Sequence, residues 1–499
     1  MADAPPFRRI LVANRGEIAI RVMRACRELG ISPIAVHSDA DVDALHVRMA
    51  DRSERIGPPA PAESYLRIEA IVEAARRSGA EAIHPGYGFL SENADFARAV
   101  TDAGLVFIGP PATAIEALGN KLAARRSAVD AGVPIVPGTT VSVEDDLAER
   151  EAIGFPVMLK AAAGGGGRGM RRVDDPAELA AALSAARREA ISAFGDGTVY
   201  AERMVAPARH VEVQLLGDQH GNLAILGERD CSVQRRHQKL VEESPSPAVD
   251  APTRAALFDS ARRVAGTVEF HNAATVEFLL DSERNHYFLE MNTRLQVEHG
   301  VTELVTGLDL VAWQIRVAAG EQLPSSVLEA PRSGHAIEVR IYAEDPYDGF
   351  RPTAGRITAW RMPDGPGVRV DGGVEADTDL RPEYDPLLAK LMVHAERREA
   401  AVDRLRRALD ETLVGGLQTD HGFLRWLVDD PAFMSGDYDT SLIAERWGTG
   451  PDADEGTIAL LARAALDARE QQPRRGALSV RTDSGSAWGR AARRDALRR

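Results

Sequence analysis

Residues 10–37 read ILVANRGEIAIRVMRACRELGISPIAVH, and the alternation inside this stretch decides the fold. The apolar run Ile10 to Ala13 is strand-like and is broken by Asn14-Arg15-Gly16-Glu17. Ile18, Val22, Ala25, Cys26 and Leu29 then recur at the spacing of one helix face. Gly30 supplies the helix stop, and Ile34 to His37 is a second strand that closes a β-α-β unit. The same alternation continues through Ile68 to Arg77, Ala82 to His84, Phe96 to Ala103 and Val106 to Gly109, which predicts a parallel, doubly wound α/β sheet. No G-x-G-x-x-G follows the first strand, so no dinucleotide is assigned.

Past Pro110-Pro111 the texture changes to a helix around Asn120 to Ala131, followed by short strands and glycine-rich turns up to Leu323. From Gly334 to about Trp447 strands alternate with turns such as Asp371-Gly372-Gly373, and one strong helix is predicted from Arg398 to Leu413. Beyond Gly448 come an acidic turn, an alanine-rich segment and an arginine-rich end, read as a linker or docking segment. A chain of 499 residues suits about three domains at roughly 150 residues each. The net charge of −15 argues against nucleic-acid partners and anionic membranes. Two cysteines, Cys26 and Cys231, exclude a disulfide framework and a cysteine-rich zinc site, and point to a reducing cytoplasm. No leader or membrane span is read.

Two segments concentrate the chemistry. Phe155 to Lys160 is strand-like and runs into residues 164–169, of which five of six are glycine. Converging backbone amides in such a loop can cover a phosphate, with Lys160 as a point charge; a flexible linker is the plainer alternative. The segment is no Walker A motif, because no Gly-Lys-Ser/Thr follows. The second segment is FLEMNTRLQVEH at 288–299. Read as a continuous strand, it puts Glu290, Asn292, Arg294, Gln296 and Glu298 on one face, with Met291, Leu295 and Val297 on the other. Ala274 to Asp281 and the turn at Ser282 to Asn285 would set Glu277 across a hairpin from Glu290. Two carboxylates and an amide oxygen suit a hard divalent cation, whereas a solvated hairpin face would explain the alternation alone.

Weaker signals lie nearby. Glu202, followed by the alternating His210-Val-Glu212-Val-Gln214, could form an adenine edge. The run from Arg229 to Lys239 packs five cations, counting His237, into eleven residues and suggests an anion site. His84 to Asn93 reads as a loop at a strand's carboxyl end, where ligands of doubly wound sheets bind.

Together these segments resemble the biotin carboxylase family of the ATP-grasp superfamily, over Ile10 to about Ala444. The carriers are ANRGEIA at 13–19, HPGYGFLSEN at 84–93, KAAAGGGGRGM at 160–170, ERDCSVQRRHQK at 228–239, EMNTRLQVEH at 290–299 and YDPLLAKL at 384–391. The resemblance implies a preparatory doubly wound α/β domain (1–114), an ATP-grasp domain with a mobile glycine-rich B lobe (115–330), a mixed α+β C-terminal domain (334–447) and a linker or truncated docking segment (448–499). It implies the ATP- and bicarbonate-dependent carboxylation of biotin through carboxyphosphate, the first half-reaction of an acyl-CoA carboxylase.

By the same resemblance, ATP would contact Lys121, Lys160, Gly165, Gly166, Gly167, Glu202, Arg203, Val205, His210, Gln234, His237, Glu277 and Glu290. Glu277, Glu290 and Asn292 would hold Mg²⁺, as two ions, or Mn²⁺. Bicarbonate would sit on Lys239, Arg294, Gln296 and Val297 with Glu298 as its base, and biotin near Tyr87, Gly88 and Arg340. Expected partners are a biotin carboxyl carrier protein or domain, a carboxyltransferase β subunit and further copies of the chain. Three positions depart from the common family pattern: Arg203 for lysine, Asn120 for aspartate and Gly300 for proline, which bear on nucleotide affinity. No Met-Lys-Met occurs, so biotin is expected to arrive on a separate carrier, or the chain to be a truncated α subunit.

Overall fold

The computed structural model describes residues 5–119, 121–140, 154–162 and 169–448. Strands β1 (Arg9–Val12), β2 (Ser32–Ser38), β3 (Arg52–Gly57), β4 (Ala82–His84) and β5 (Val106–Phe107) pair in parallel in the order β3-β2-β1-β4-β5. Helix α1 (Gly16–Glu28) buries Ile18, Val22, Ala25 and Cys26, as the spacing predicts. Strand order reverses between β1 and β4, the crevice at which such sheets bind ligands. The loops after both strands meet there: Asn14 Nδ2 donates to the carbonyls of Pro85 and Tyr87, each at 2.7 Å. Gly86, at φ +64°, lies so close to Asn14 that a Cβ would come within 3.0 Å of that amide.

A smaller lobe is a four-stranded sheet, ordered β6-β9-β7-β8, built from β6 (Gly138–Thr140), β7 (Val157–Ala161), β8 (Met170–Val173) and β9 (Val199–Arg203). Helix Leu179–Phe194 covers it, setting Leu183, Ala186 and Ala190 against Val157, Leu159 and Val173. Gly165, Gly166 and Gly167, between β7 and β8, lie outside the described residues, as does Asn120.

The largest sheet has eight strands. It runs β14 (His286–Asn292), β13 (Asn272–Asp281), β10 (Ala208–Gly217), β11 (Leu223–Arg235), β12 (Gln238–Ser244) and β15 (His335–Tyr342), and ends in strands Leu387–Ala395 and Val368–Gly372. The sequence texture suggests a new domain at residue 334, yet the sheet continues across that point, from Val241↔Val339 to Ser244↔Ala336. Phe278 and Phe288 are fully buried on its first strands, each worth about 2–3 kcal/mol of apolar burial. The helix expected from Arg398 to Leu413 spans Arg398–Glu411. Thr412 turns extended, and Leu413 enters a strand paired with Ala359–Arg361. Among the described residues no helix is long and apolar enough to cross a membrane.

One buried ion cluster locks the sheet to its C-terminal helices. Glu243 on β12 accepts from His335 Nε2 at 2.5 Å, from Arg398 Nε at 2.7 Å and from the Tyr438 hydroxyl. Burial opposes its charge, but His335 and Arg398 prevail and hold the carboxyl at about 2. A depressed pKa gives stability that is complete above the unfolded value near 4.5 and lost as pH falls toward 2. Glu243→Gln is therefore expected to destabilise the protein by about 3–5 kcal/mol at pH 7, with a gap to the wild type that narrows below pH ~4. Unfolding followed at both pH values checks this; equal stability at pH 7 would remove the cluster from the account.

Candidate active site

The site grows from adjacent strands whose polar residues share a face. Glu212 on β10 lies directly across from Arg229 on β11 and from Glu277 on β13. Arg229, fully buried, donates to Glu212 Oε1 at 2.5 Å, Gln214 Oε1 at 2.7 Å and Thr302 Oγ1 at 2.8 Å. Lys239, from the start of β12, reaches into the remaining acids: its Nζ stands 2.7 Å from Glu212 Oε2, 2.9 Å from Glu277 Oε1 and 2.7 Å from Glu298 Oε1. Burial disfavours its ammonium, but the acidic groups around it, Cys231 and these three glutamates, raise its pKa well above the usual range. Burial likewise opposes the Glu298 carboxylate, and Lys239 with Arg340 reverses that, holding it well below the usual range. Glu298 is thus an ionised, fully buried base candidate clamped by two cations.

The hairpin sets Glu277 opposite Glu290. The extended reading of residues 288–299 is corrected in its second half: β14 ends at Asn292. The Thr293 amide turns to Glu92 Oε1 at 3.1 Å instead of a neighbouring strand, and Gln296 Nε2 donates to Thr275 Oγ1 at 2.9 Å. The polar side chains still converge, because the loop folds back over the sheet. Arg294 donates to Glu92 Oε2 at 2.7 Å, Gln296 Oε1 at 3.0 Å and Asn292 Oδ1 at 3.2 Å. Asn292 Nδ2 donates to Glu277 Oε1 at 2.8 Å. Lys121, at the start of helix Lys121–Asp130, pairs with Glu290 at 2.9 Å. The carbonyl of Val297 accepts from Lys390 at 2.8 Å.

Lys160 (β7) and Arg125 both pair with the buried carboxylate of Glu202 on β9. Arg203 is exposed and Val205 half-buried just beyond it. His210 Nε2 lies 2.6 Å from Glu277 Oε2, and Gln234 approaches His210 Nδ1 at 3.3 Å. His237 is exposed in the β11–β12 turn at φ +68°. The basic run therefore divides: Lys239 reaches the acids, His237 lies near Lys160, His210 and Lys121, Arg229 is buried against Glu212, and Arg235 donates to the Gly349 carbonyl. Arg340 (β15) donates through Nη2 to Glu242 and, at 3.1 Å, to Glu298 Oε2. Tyr87 donates to Glu17, and Gly88, at φ +69°, faces open space.

Sequence reading missed Glu92, Glu212, Arg229, Glu242 and Lys390 as members of this cluster. Glu212 had a signal, its alternation with His210 and Gln214. Glu242 had none, because no polar alternation surrounds it in Leu240-Val241-Glu242-Glu243-Ser244. Gly300 gains a local reason: a Cβ there would overlap Met392 Sδ and come within 3.3 Å of Glu338 Oε2. Gly300→Ala is expected to cost about 1–3 kcal/mol through overpacking. Met392→Ala should relieve part of that in the double variant, measured by a thermal-unfolding cycle, and additive losses would show that the two side chains do not compete for this space.

Three sequence families match in order: "Biotin carboxylase, N-terminal domain" at residues 6–115, "Carbamoyl-phosphate synthase L chain, ATP binding domain" at 120–326 and "Biotin carboxylase C-terminal domain" at 338–445. Over 443 residues the chain is 49% identical to the biotin carboxylase of Halalkalibacterium halodurans, covering 88% of this chain and 97% of that protein. It is 46% identical to the propionyl-CoA carboxylase alpha chain of Ruegeria pomeroyi, covering 97% of this chain and 76% of that one. A solved structure of the biotin carboxylase domain of Hydrogenobacter thermophilus 2-oxoglutarate carboxylase, in complex with MgADP, ADP and bicarbonate, superposes with a TM-score of 0.86. That domain is 44% identical, over 90% of this chain and 99% of its own.

Proposed function

We infer, because this chain belongs to the biotin carboxylase family, that it carboxylates biotin with ATP and bicarbonate through carboxyphosphate. One observation carries the mechanism: Glu298 is a buried carboxylate held ionised by Lys239 and Arg340, on the same loop as Arg294 and Gln296. In our reading bicarbonate takes the place between Lys239, Arg294, Gln296 and the Val297 backbone, and Glu298 accepts its proton. The freed oxygen attacks the γ-phosphate of ATP, expelling ADP, while Lys121 and Lys160 neutralise charge on the phosphates. His210, Gln234, His237, Arg203, Val205 and the Glu202 strand frame the nucleotide. Carboxyphosphate then splits into CO₂ and phosphate. The phosphate removes the ureido proton of biotin, and Arg340 stabilises the resulting enolate beside Tyr87 and Gly88 as nitrogen attacks CO₂.

Glu277 and Glu290, with the Asn292 amide oxygen, fit Mg²⁺. They are hard oxygen donors set opposite each other across a hairpin, and an ion there would take over carboxylate contacts that Lys121 and Lys239 now make. Held by these residues, the ion would supply positive charge to the phosphates. Relatives that are acyl-CoA carboxylase subunits support partnership with a biotin carrier and a carboxyltransferase, and we propose both, together with self-association and a cytoplasmic setting.

The test is ATP hydrolysis by the purified protein. It is expected to require bicarbonate and Mg²⁺ and to rise when free biotin is added; equal hydrolysis without bicarbonate would contradict the proposal.

A further inference from the structure

Lys390 is 0% exposed, on strand Leu387–Ala395, directly across from Arg340 on one side and Asp371 on the other. Its ammonium makes two contacts that lead to different substrates. One goes to the carbonyl of Val297, at 2.8 Å, the peptide immediately before the base Glu298. The other goes to Glu17 Oε1, at 3.4 Å, the same oxygen that accepts the hydroxyl proton of Tyr87. The reach to Glu17 depends on close backbone packing, since a Cβ on Gly373 would come within 2.6 Å of the Glu17 amide nitrogen. Glu17 Oε2 is buried without a hydrogen-bond partner among the described residues, and Lys390 and Tyr87 hold the other oxygen of that carboxylate.

An ammonium is buried only where its charge is answered, and here the answer comes from Glu17, Glu338 and Asp371. A purely structural lysine would need only those acids. The bond to a main-chain carbonyl one residue from the base adds a positional constraint, because it fixes the peptide plane from which Glu298 projects.

We propose that Lys390 is a positioning residue that ties the bicarbonate-binding segment to the biotin-facing loop, so that one buried ammonium sets the geometry of both substrate sites. This rests on the functional reading above. Through Lys390, movement of Tyr87 on biotin binding is passed by Glu17 to the Val297–Glu298 peptide. Biotin thereby raises the rate at which bicarbonate is activated.

The test uses Lys390→Met, which keeps the stem and removes the ammonium, with ATPase measured across bicarbonate, biotin and ATP concentrations. KM for bicarbonate and for free biotin should each rise at least 10-fold, KM for ATP should stay within twofold, and stimulation of ATPase by biotin should vanish. Removing the cation leaves Glu17 unpaired, so Lys390→Met is also combined with Glu17→Gln. The double variant should regain thermal stability while its biotin stimulation stays absent, which a merely structural lysine would not produce. Tyr87→Phe keeps the ring that packs on the core and removes only the hydroxyl bond to Glu17, which cuts the same relay, and biotin stimulation at saturating biotin should fall at least fivefold. Wild-type KM values and stimulation in either Lys390 variant, or unchanged stimulation in Tyr87→Phe, would overturn the proposal. If the unsubstituted protein lacks bicarbonate-dependent ATPase, the functional reading itself fails, a result separate from those.

Discussion

Glu298→Gln is expected to lower the turnover of biotin carboxylation by about 10²-fold or more, a loss of at least ~2.7 kcal/mol of transition-state stabilisation, with ATP affinity largely kept. Glutamine preserves the size of the side chain, but its one amide oxygen can accept from Lys239 or from Arg340 and not from both, and it cannot take a proton from bicarbonate. The fold should tolerate the change. Lys239 keeps Glu212 and Glu277, and Arg340 keeps Glu242, so neither cation is left without a carboxylate. Binding of ATP should be little affected, because the proposed phosphate lysines pair elsewhere, Lys121 with Glu290 and Lys160 with Glu202. Steady-state carboxylation and nucleotide titration check both halves. Near-normal turnover would remove Glu298 from the mechanism.

Arg340→Gln is expected to separate two activities that Glu298→Gln lowers together. Biotin carboxylation should fall by about 10²-fold or more, because the enolate loses its counter-charge, while bicarbonate-dependent ATPase should fall by less than about 10-fold. Glu298 would still be held ionised by Lys239 and Arg229. Glu242 would lose its guanidinium, but burial already lifts its carboxyl to about 7 even opposite Arg340, so it would become neutral rather than remain an unpaired buried charge. Parallel loss of both activities would contradict the assignment of Arg340 to biotin.

The parallel sheet was legible because apolar period and glycine stops agree over residues 10–109, and α1 buries the face that the spacing marks. The hairpin bearing Glu277 and Glu290 was legible for a similar reason, a period of two interrupted by one turn. What failed was continuation of that period past Asn292. The same alternation persists in a loop whose side chains are gathered by Glu92 and Thr275 from other segments, and such partners are invisible to local pattern. Arg229 was misread for the same reason: charge density alone marks an anion site, whereas burial on β11 turns this arginine into the counter-ion of Glu212. Lys390 sits between two apolar residues in Leu388 to Leu391 and gave no local sign that its ammonium reaches Val297, 93 positions away.

Bicarbonate labelled with ¹⁸O in all its oxygens, supplied with unlabelled ATP, Mg²⁺ and free biotin, tests the central claim most directly. If a bicarbonate oxygen attacks the γ-phosphate to form carboxyphosphate, one labelled oxygen stays with phosphorus when that intermediate splits. Mass spectrometry should then find inorganic phosphate carrying one ¹⁸O per turnover, with two in the carboxyl group of carboxybiotin. Phosphate released without label, while labelled carboxybiotin forms, would contradict a mechanism in which Glu298 prepares bicarbonate for attack on ATP.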